Sequence, residues 1–276
     1  MAQSMGSARV SQRVFFGVSA LLFAASATVT IVWCTSMSAI GEMPMPGGWT
    51  MSMAWMRMCG QTWPNAAASF IGMWVAMMVA MMLPSFAPML WRYRQAVGRT
   101  DGIAPGCLTA LVGIGYFSVW AVFGMVTFAL GSALASLQMQ VPALARTVPI
   151  ASGVVVVIAG ALQFTAWKAH HLACCRGAPG HGCMLHALQT LQTLRADAGT
   201  AWRHGLRLGL HCSTCCAGLT AVLLVIGVMD LRAMAALTAV ITLERLAPEG
   251  ERVARAIGAI VVVAGLAMLV RAMGLG

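Results

Sequence analysis

Met73-Trp74-Val75-Ala76-Met77-Met78-Val79-Ala80-Met81-Met82-Leu83-Pro84 lies inside an uncharged, apolar stretch that runs over residues 70–91. About 20 such residues suffice to cross a ~30 Å hydrocarbon core, so the stretch reads as a membrane span. On a helix, Met73, Met77 and Met81 stack at four-residue spacing, and Met78 with Met82 repeats the relation one residue round. Two adjacent stripes of thioether then face one side. Thioether sulfur is a soft, uncharged donor suited to Cu(I) and costs little to bury in lipid. Methionine is equally an ordinary packing residue in membrane helices, and the run alone leaves both readings open. Pro84 and Pro88 are expected to interrupt the helix and free backbone carbonyls near its cytoplasmic end.

The rest of the chain has the same character. Of 276 residues, 60% are hydrophobic and only 9% charged, and further apolar runs recur at 14–36, 108–134, 148–167, 206–229, 233–246 and 253–273. This predicts an all-α polytopic transmembrane bundle of six or seven membrane-embedded helices, the 233–246 run being short for a span. A net charge of +10 would suggest nucleic acid in a soluble domain. Here the arginines cluster between spans, where they report orientation, and nucleic acid is excluded as a partner.

Arg9 and Arg13 precede the first span, Arg92, Arg94 and Arg99 follow the second, and Lys168, Arg176, Arg195 and Arg203 separate the fourth from the fifth. The positive-inside bias places the N-terminus in the cytoplasm and residues 37–69 outside, as expected for a bacterial inner-membrane protein. The resulting organisation is a cytoplasmic N-terminus (1–13), a retained first anchor (14–36), a Met- and Trp-rich extracytoplasmic loop (37–69) and a membrane domain (70–273). Leu185, Leu188, Leu191 and Leu194 recur at helical spacing, as in an amphipathic helix on the membrane surface.

Three constellations besides the methionine run carry soft donors. In the loop, Met43, Met45, Met51, Met53, Met56, Met58 and Cys59 crowd beside Trp49, Trp55 and Trp63. Methionine in a water-exposed loop has little core to fill, which favours metal capture; a tryptophan-anchored interfacial loop is the bland alternative. His170-His171-Leu-Ala-Cys174-Cys175 is expected to end the fourth span, with Cys183 and His186 beyond. His211-Cys212-Ser-Thr-Cys215-Cys216 opens the fifth. Helical spacing stacks His170 over Cys174, His171 over Cys175 and His211 over Cys215, and lets Cys212 meet Cys215 or Cys216. Thiolates and imidazoles converging from two antiparallel helices suit Cu(I), with Zn(II) as a second option. Cytoplasmic conditions would keep the thiols reduced. Glu244 and Arg245 end the sixth helix; Glu244 is a candidate for proton coupling, set against a simple ion-paired residue with water in reach.

The order of Trp74 with Ala-Met-Met then Ala-Met-Met-Leu-Pro84, the stretch from Lys168 to Cys-Cys-Arg176-Gly-Ala-Pro179, Gly209-Leu-His-Cys212-x-x-Cys-Cys216, Gly227-Val-Met-Asp-Leu-Arg-Ala-Met234 and Glu244-Arg245 followed by Pro248 resembles the predicted metal-binding integral membrane proteins of domain-of-unknown-function family 2182. The resemblance runs from about Phe70 to the C-terminus and implies a metal-binding membrane domain. Ser213-Thr214, Ala217 and Arg245 depart from that family's pattern, and His170 and His171 are additions to it.

The expected function is capture of copper, as Cu(I), by the loop, relay along the methionine run and receipt by the cysteine clusters, with inward flow from weak thioethers to stronger thiolates. Its partners would be the bilayer, the ion and a periplasmic or membrane metallochaperone or oxidase. Two rivals remain: a membrane thiol oxidoreductase using Cys212, Cys215 and Cys216, and a metal-holding assembly factor or sensor. No phosphate-binding Gly-x-x-x-x-Gly-Lys-Ser/Thr loop or Asp-Lys-Thr-Gly motif is present, and enzymatic activity is not expected.

Overall fold

The structure is a computed structural model that describes residues 2–39, 41–57, 60–97, 104–176 and 197–274. Met58, Cys59, Cys183 and the leucine-periodic segment lie outside the described residues. The described elements are α1 (Ala2–Ser38), β1 (Glu42–Met45), β2 (Trp49–Ser52), a 3-10 turn (Met53–Trp55), α2 (Trp63–Val97), α3 (Pro105–Gln140), α4 (Pro142–Leu162), α5 (Ala166–Arg176), α6 (Ala198–Ile226), α7 (Leu231–Leu246) and α8 (Gly250–Ala272). Six of these helices, α1 to α4, α6 and α8, are long and apolar enough to cross a membrane. The 16 residues of α7 extend only about 24 Å at 1.5 Å per residue, less than a hydrocarbon core. The fold is the expected all-α polytopic bundle.

Burial follows membrane logic. Leu21 and Ile260 are about 70% exposed on the outer faces, while Trp74, Met78 and Trp120 are fully enclosed. Half of the most apolar window of α2 is buried, against 11% for α1 and 17% for α8, which makes α2 a central helix. It packs on α1, α3 and α7, while α6 packs on α3, α4 and α5. Glycines bring α3 and α6 together: a Cβ at Gly209 would lie 2.8 Å from the Tyr116 carbonyl oxygen, and one at Gly115 2.7 Å from that of Trp202. This close approach sets the separation of two helices that both carry site residues.

Three local expectations are corrected. Pro84 and Pro88 do not end the second helix; both lie inside a continuous α2, where each ring removes one backbone donor and Ser85 Oγ donates to the Met82 carbonyl at 3.0 Å. The fourth apolar run is two helices. Gln163, Phe164 and Thr165 donate backbone bonds three residues back, which tightens and closes α4, and Thr165 Oγ1 accepts from Lys168 N at 3.3 Å to start α5. The fifth run starts earlier than expected, at Ala198, so Cys212 stands 14 residues from each end of α6, about 21 Å. The cysteines therefore sit at mid-helix and not at its opening.

The 37–69 loop contains an antiparallel hairpin in which Met43 faces Met51 and Met45 faces Trp49. Gly47 and Gly48 take φ of 108° and 76° in its turn, which glycine alone adopts without cost. Trp49 Nε1 donates to the Ala145 carbonyl at 2.9 Å, tying the hairpin to the start of α4.

Candidate metal centre

Five of the six methionines of α2 point inward, Met89 being only partly buried. Met73, Met77, Met78, Met81 and Met82 are each at most 4% exposed and belong to one core cluster with Trp74, Phe86, Trp120, Cys212 and Cys216. None of this sulfur faces lipid. The stripe meets the cysteines at its lower end, where Cys212 Sγ lies 3.8 Å from Met82 Sδ.

Around Cys212 the structure gathers groups from four helices. Tyr116 Oη, on α3, donates to Cys212 Sγ at 2.7 Å. Arg245, on α7, directs Nη2 at Cys212 Sγ at 2.8 Å and at Cys216 Sγ at 3.4 Å, and Nη1 at Ser85 Oγ on α2 at 3.3 Å. Phe86 stacks on Tyr116 at 4.0 Å between centroids and holds its ring in place. The thiols themselves touch in sequence, Cys212 to Cys216, Cys216 to Cys215, and Cys215 to Cys175 on α5. A cavity of about 20 Å³, room for one small atom, opens between Tyr116, Cys175, His211, Cys212 and Arg245. The helical stacking of Cys212 on Cys216 and the meeting of α5 with α6 are as the spacing predicts.

Beneath this layer lies an ion pair. Lys168 Nζ sits 2.8 Å from Glu244 Oε2, with side chains 4% and 2% exposed, and also donates to the Cys215 carbonyl at 2.9 Å. Gln163 Nε2 donates to Glu244 Oε1 at 3.3 Å. Glu244 is thus ion-paired as one reading expected, but fully buried rather than within reach of water, because α5 packs over the end of α7. The pair fixes α4, α5, α6 and α7 relative to one another at the level of the thiols.

The histidines form a shallower layer. His170 is exposed while His171 and His211 are partly so, and the His171 and His211 rings approach to 5.7 Å. His171 Nδ1 lies 3.4 Å from Thr214 Oγ1. Burial, then the charges of His211 and His170, lowers the His171 pKa below the usual imidazole value. A neutral ring is the form that can ligate metal. His170 Nε2 lies 3.8 Å from Cys174 Sγ, the stacking that the spacing predicts. Cys174 itself is disulfide-bonded, and in that state offers no thiolate. No other described cysteine is so bonded, and the expectation that the cluster's thiols are all reduced does not hold for Cys174.

The loop methionines divide. Met45 and Met51 are buried against Ala135 and Ala145, with Met43 and Met56 packed around them, so these sulfurs have a small core to fill after all. Met53 and Met56 remain partly exposed. Among the described residues, no donor of the hairpin is joined to the cysteine layer.

Sequence reasoning missed Tyr116, Ser85 and Gln163, took Lys168 as a motif and orientation residue without its pairing to Glu244, and read Arg245 as a helix-end charge. One signal was available: Lys168 is the single lysine of the chain and lies in an apolar context. Tyr116 carries no such mark.

Among the described residues, no group of three or more His, Cys, Asp or Glu side chains is disposed to hold a metal ion. The soft donors that meet here are mixed: the Cys212 thiol touches both the Cys216 thiol and the Met82 thioether. Residues 71–268 match the family model PpoB2, described as copper chaperone. Neither the curated proteins nor the solved structures provide a significant match.

Proposed function

The chain belongs to the copper chaperone family, and from that premise we propose that it takes copper as Cu(I) at Cys212 and Cys216, with Met82 as a third donor, and passes it along the α2 methionines. The observation that carries the reading is the run of buried thioethers ending in sulfur-to-sulfur contact with a thiol. Two thiolates and one thioether form a low-coordinate soft set, which favours Cu(I) over harder ions. Met73, Met77, Met78 and Met81 offer weaker donors above it, so an ion moving down the stripe meets progressively stronger ligands.

Met53 and Met56, with Met58 and Cys59 next to them in sequence, are proposed as the collecting end, and His170, His171, His211 and Cys175 as the releasing end beside the cysteine layer. Positive-inside bias makes that flow inward and places the N-terminus in the cytoplasm. A chaperone of this kind hands its ion to a membrane or soluble partner that presents stronger thiolates or imidazoles.

The test replaces Met77 and Met81 together by leucine, which nearly conserves volume and apolarity. Copper uptake by cells should fall while copper bound at Cys212 and Cys216 in detergent-solubilised protein stays at the wild-type level. Uptake at the wild-type level in the double variant, at matched expression, would reduce the methionines to packing.

A further inference from the structure

We infer that Arg245 is the specificity-determining residue of the thiol pair, fitting it to a monovalent soft cation and against a divalent one. The inference rests on the reading that Cys212 and Cys216 take the ion.

Its ground is charge accounting in a buried site. Among the described residues the salt bridges are Lys168 with Glu244 and Arg252 with Glu249. Lys168 and Glu244 therefore pair with each other beneath the thiols, and among the described residues no carboxylate forms a salt bridge with Arg245. Its Nη2 is directed at two sulfurs, its Nη1 at an uncharged hydroxyl, and its buried Nε has no hydrogen-bond partner. A guanidinium cannot shed its charge by deprotonation in a protein. The site thus carries one positive charge, which the thiols of Cys212 and Cys216 face directly and that of Cys175 faces across the cavity.

Metal binding displaces the thiol protons, because the ligand is the thiolate. Two thiolates with a monovalent ion carry a net charge of −1, which Arg245 brings to zero. The same pair with a divalent ion is neutral, and Arg245 leaves a net +1 enclosed by Phe86, Tyr116 and Met82. An unbalanced charge in so apolar a setting is disfavoured. Tyr116 supports the loaded state in the same sense, since its hydroxyl donates to Cys212 without adding charge. Thiolates intrinsically prefer soft ions, so the quantity that reports on Arg245 is the change in selectivity and not its wild-type value.

The full-length protein, purified in detergent under reducing conditions, is titrated with Ag(I), a redox-inert monovalent probe, and with Zn(II), each in competition with a chelator of known affinity. Arg245→Gln removes the charge and keeps donor atoms; it should shift the Ag(I)/Zn(II) affinity ratio toward zinc by about tenfold or more. Arg245→Lys keeps the charge and should hold the ratio near wild type. Ser85→Asp supplies a carboxylate beside Nη1 and should shift the ratio as Arg245→Gln does, in a protein whose arginine is intact. A ratio unmoved in whichever of Arg245→Gln and Ser85→Asp retains wild-type helicity and a monodisperse elution profile overturns the role of Arg245. Undiminished Ag(I) binding in Cys212→Ser/Cys216→Ser overturns instead the site on which the inference rests.

Discussion

Lys168 and Glu244 meet at 2.8 Å in the interior of the bundle, joining α5 to α7 beneath the cysteines. Removing one member leaves a buried charge unpaired, which costs about 3–5 kcal/mol, whereas replacing both by apolar side chains is often near neutral. Lys168→Met and Glu244→Leu should each lower the unfolding midpoint strongly, and the double variant should recover most of the loss. Thermal unfolding of the four proteins in one detergent forms the cycle. Additive losses would show that the two residues act independently.

The contact of α3 with α6 sets the Tyr116 to Cys212 distance of 2.7 Å. Gly209→Ala places a Cβ 2.8 Å from the Tyr116 carbonyl and must push the helices apart. Overpacking of this kind costs about 1–3 kcal/mol. Copper affinity should fall with it, by about tenfold if the hydroxyl leaves the sulfur. Tyr116→Phe serves as the comparison, since it removes the hydroxyl without moving a helix. Copper binding unaltered in both variants would exclude Tyr116 from the site.

Cysteines of the cluster are expected to differ in weight. Cys212 and Cys216 face Arg245, while Cys215 turns toward Cys175 and the α5 side. Serine at 212 or 216 should reduce Cu(I) affinity by about tenfold or more through loss of a ligand bond, and serine at 215 by less. Chelator competition on the three single variants gives the ranking. Equal losses at all three positions would favour a site shared by the whole thiol chain.

Orientation is open to direct measurement. Cys107 is exposed near the start of α3, and Pro46 is exposed in the hairpin turn. A membrane-impermeant thiol reagent applied to intact cells should label a cysteine introduced by Pro46→Cys and leave Cys107 unmodified until the cells are opened. The reverse pattern would turn the proposed inward flow into export.

Much of this architecture is legible in the order of residues alone. The number of spanning helices, their apolar faces and the clustering of sulfur follow from composition and from the 3.6-residue period, because lipid obliges every backbone polar group to be satisfied within its own segment. The inward face of the α2 stripe and the Cys212 to Cys216 stacking follow from the same period. What the period does not carry is contact between helices distant in sequence. Tyr116 reaches Cys212 across 96 residues, Met82 across 130, and Ser85 reaches Arg245 across 160. Those meetings depend on how closely glycines let α3 approach α6 and on where α5 folds back after Thr165. They turned an apparent helix-end arginine into a counter-charge set against the thiols and two of the loop methionines into packing. Hydropathy reports whether a residue is buried, whereas only the packing of one helix against another decides which groups share the interior.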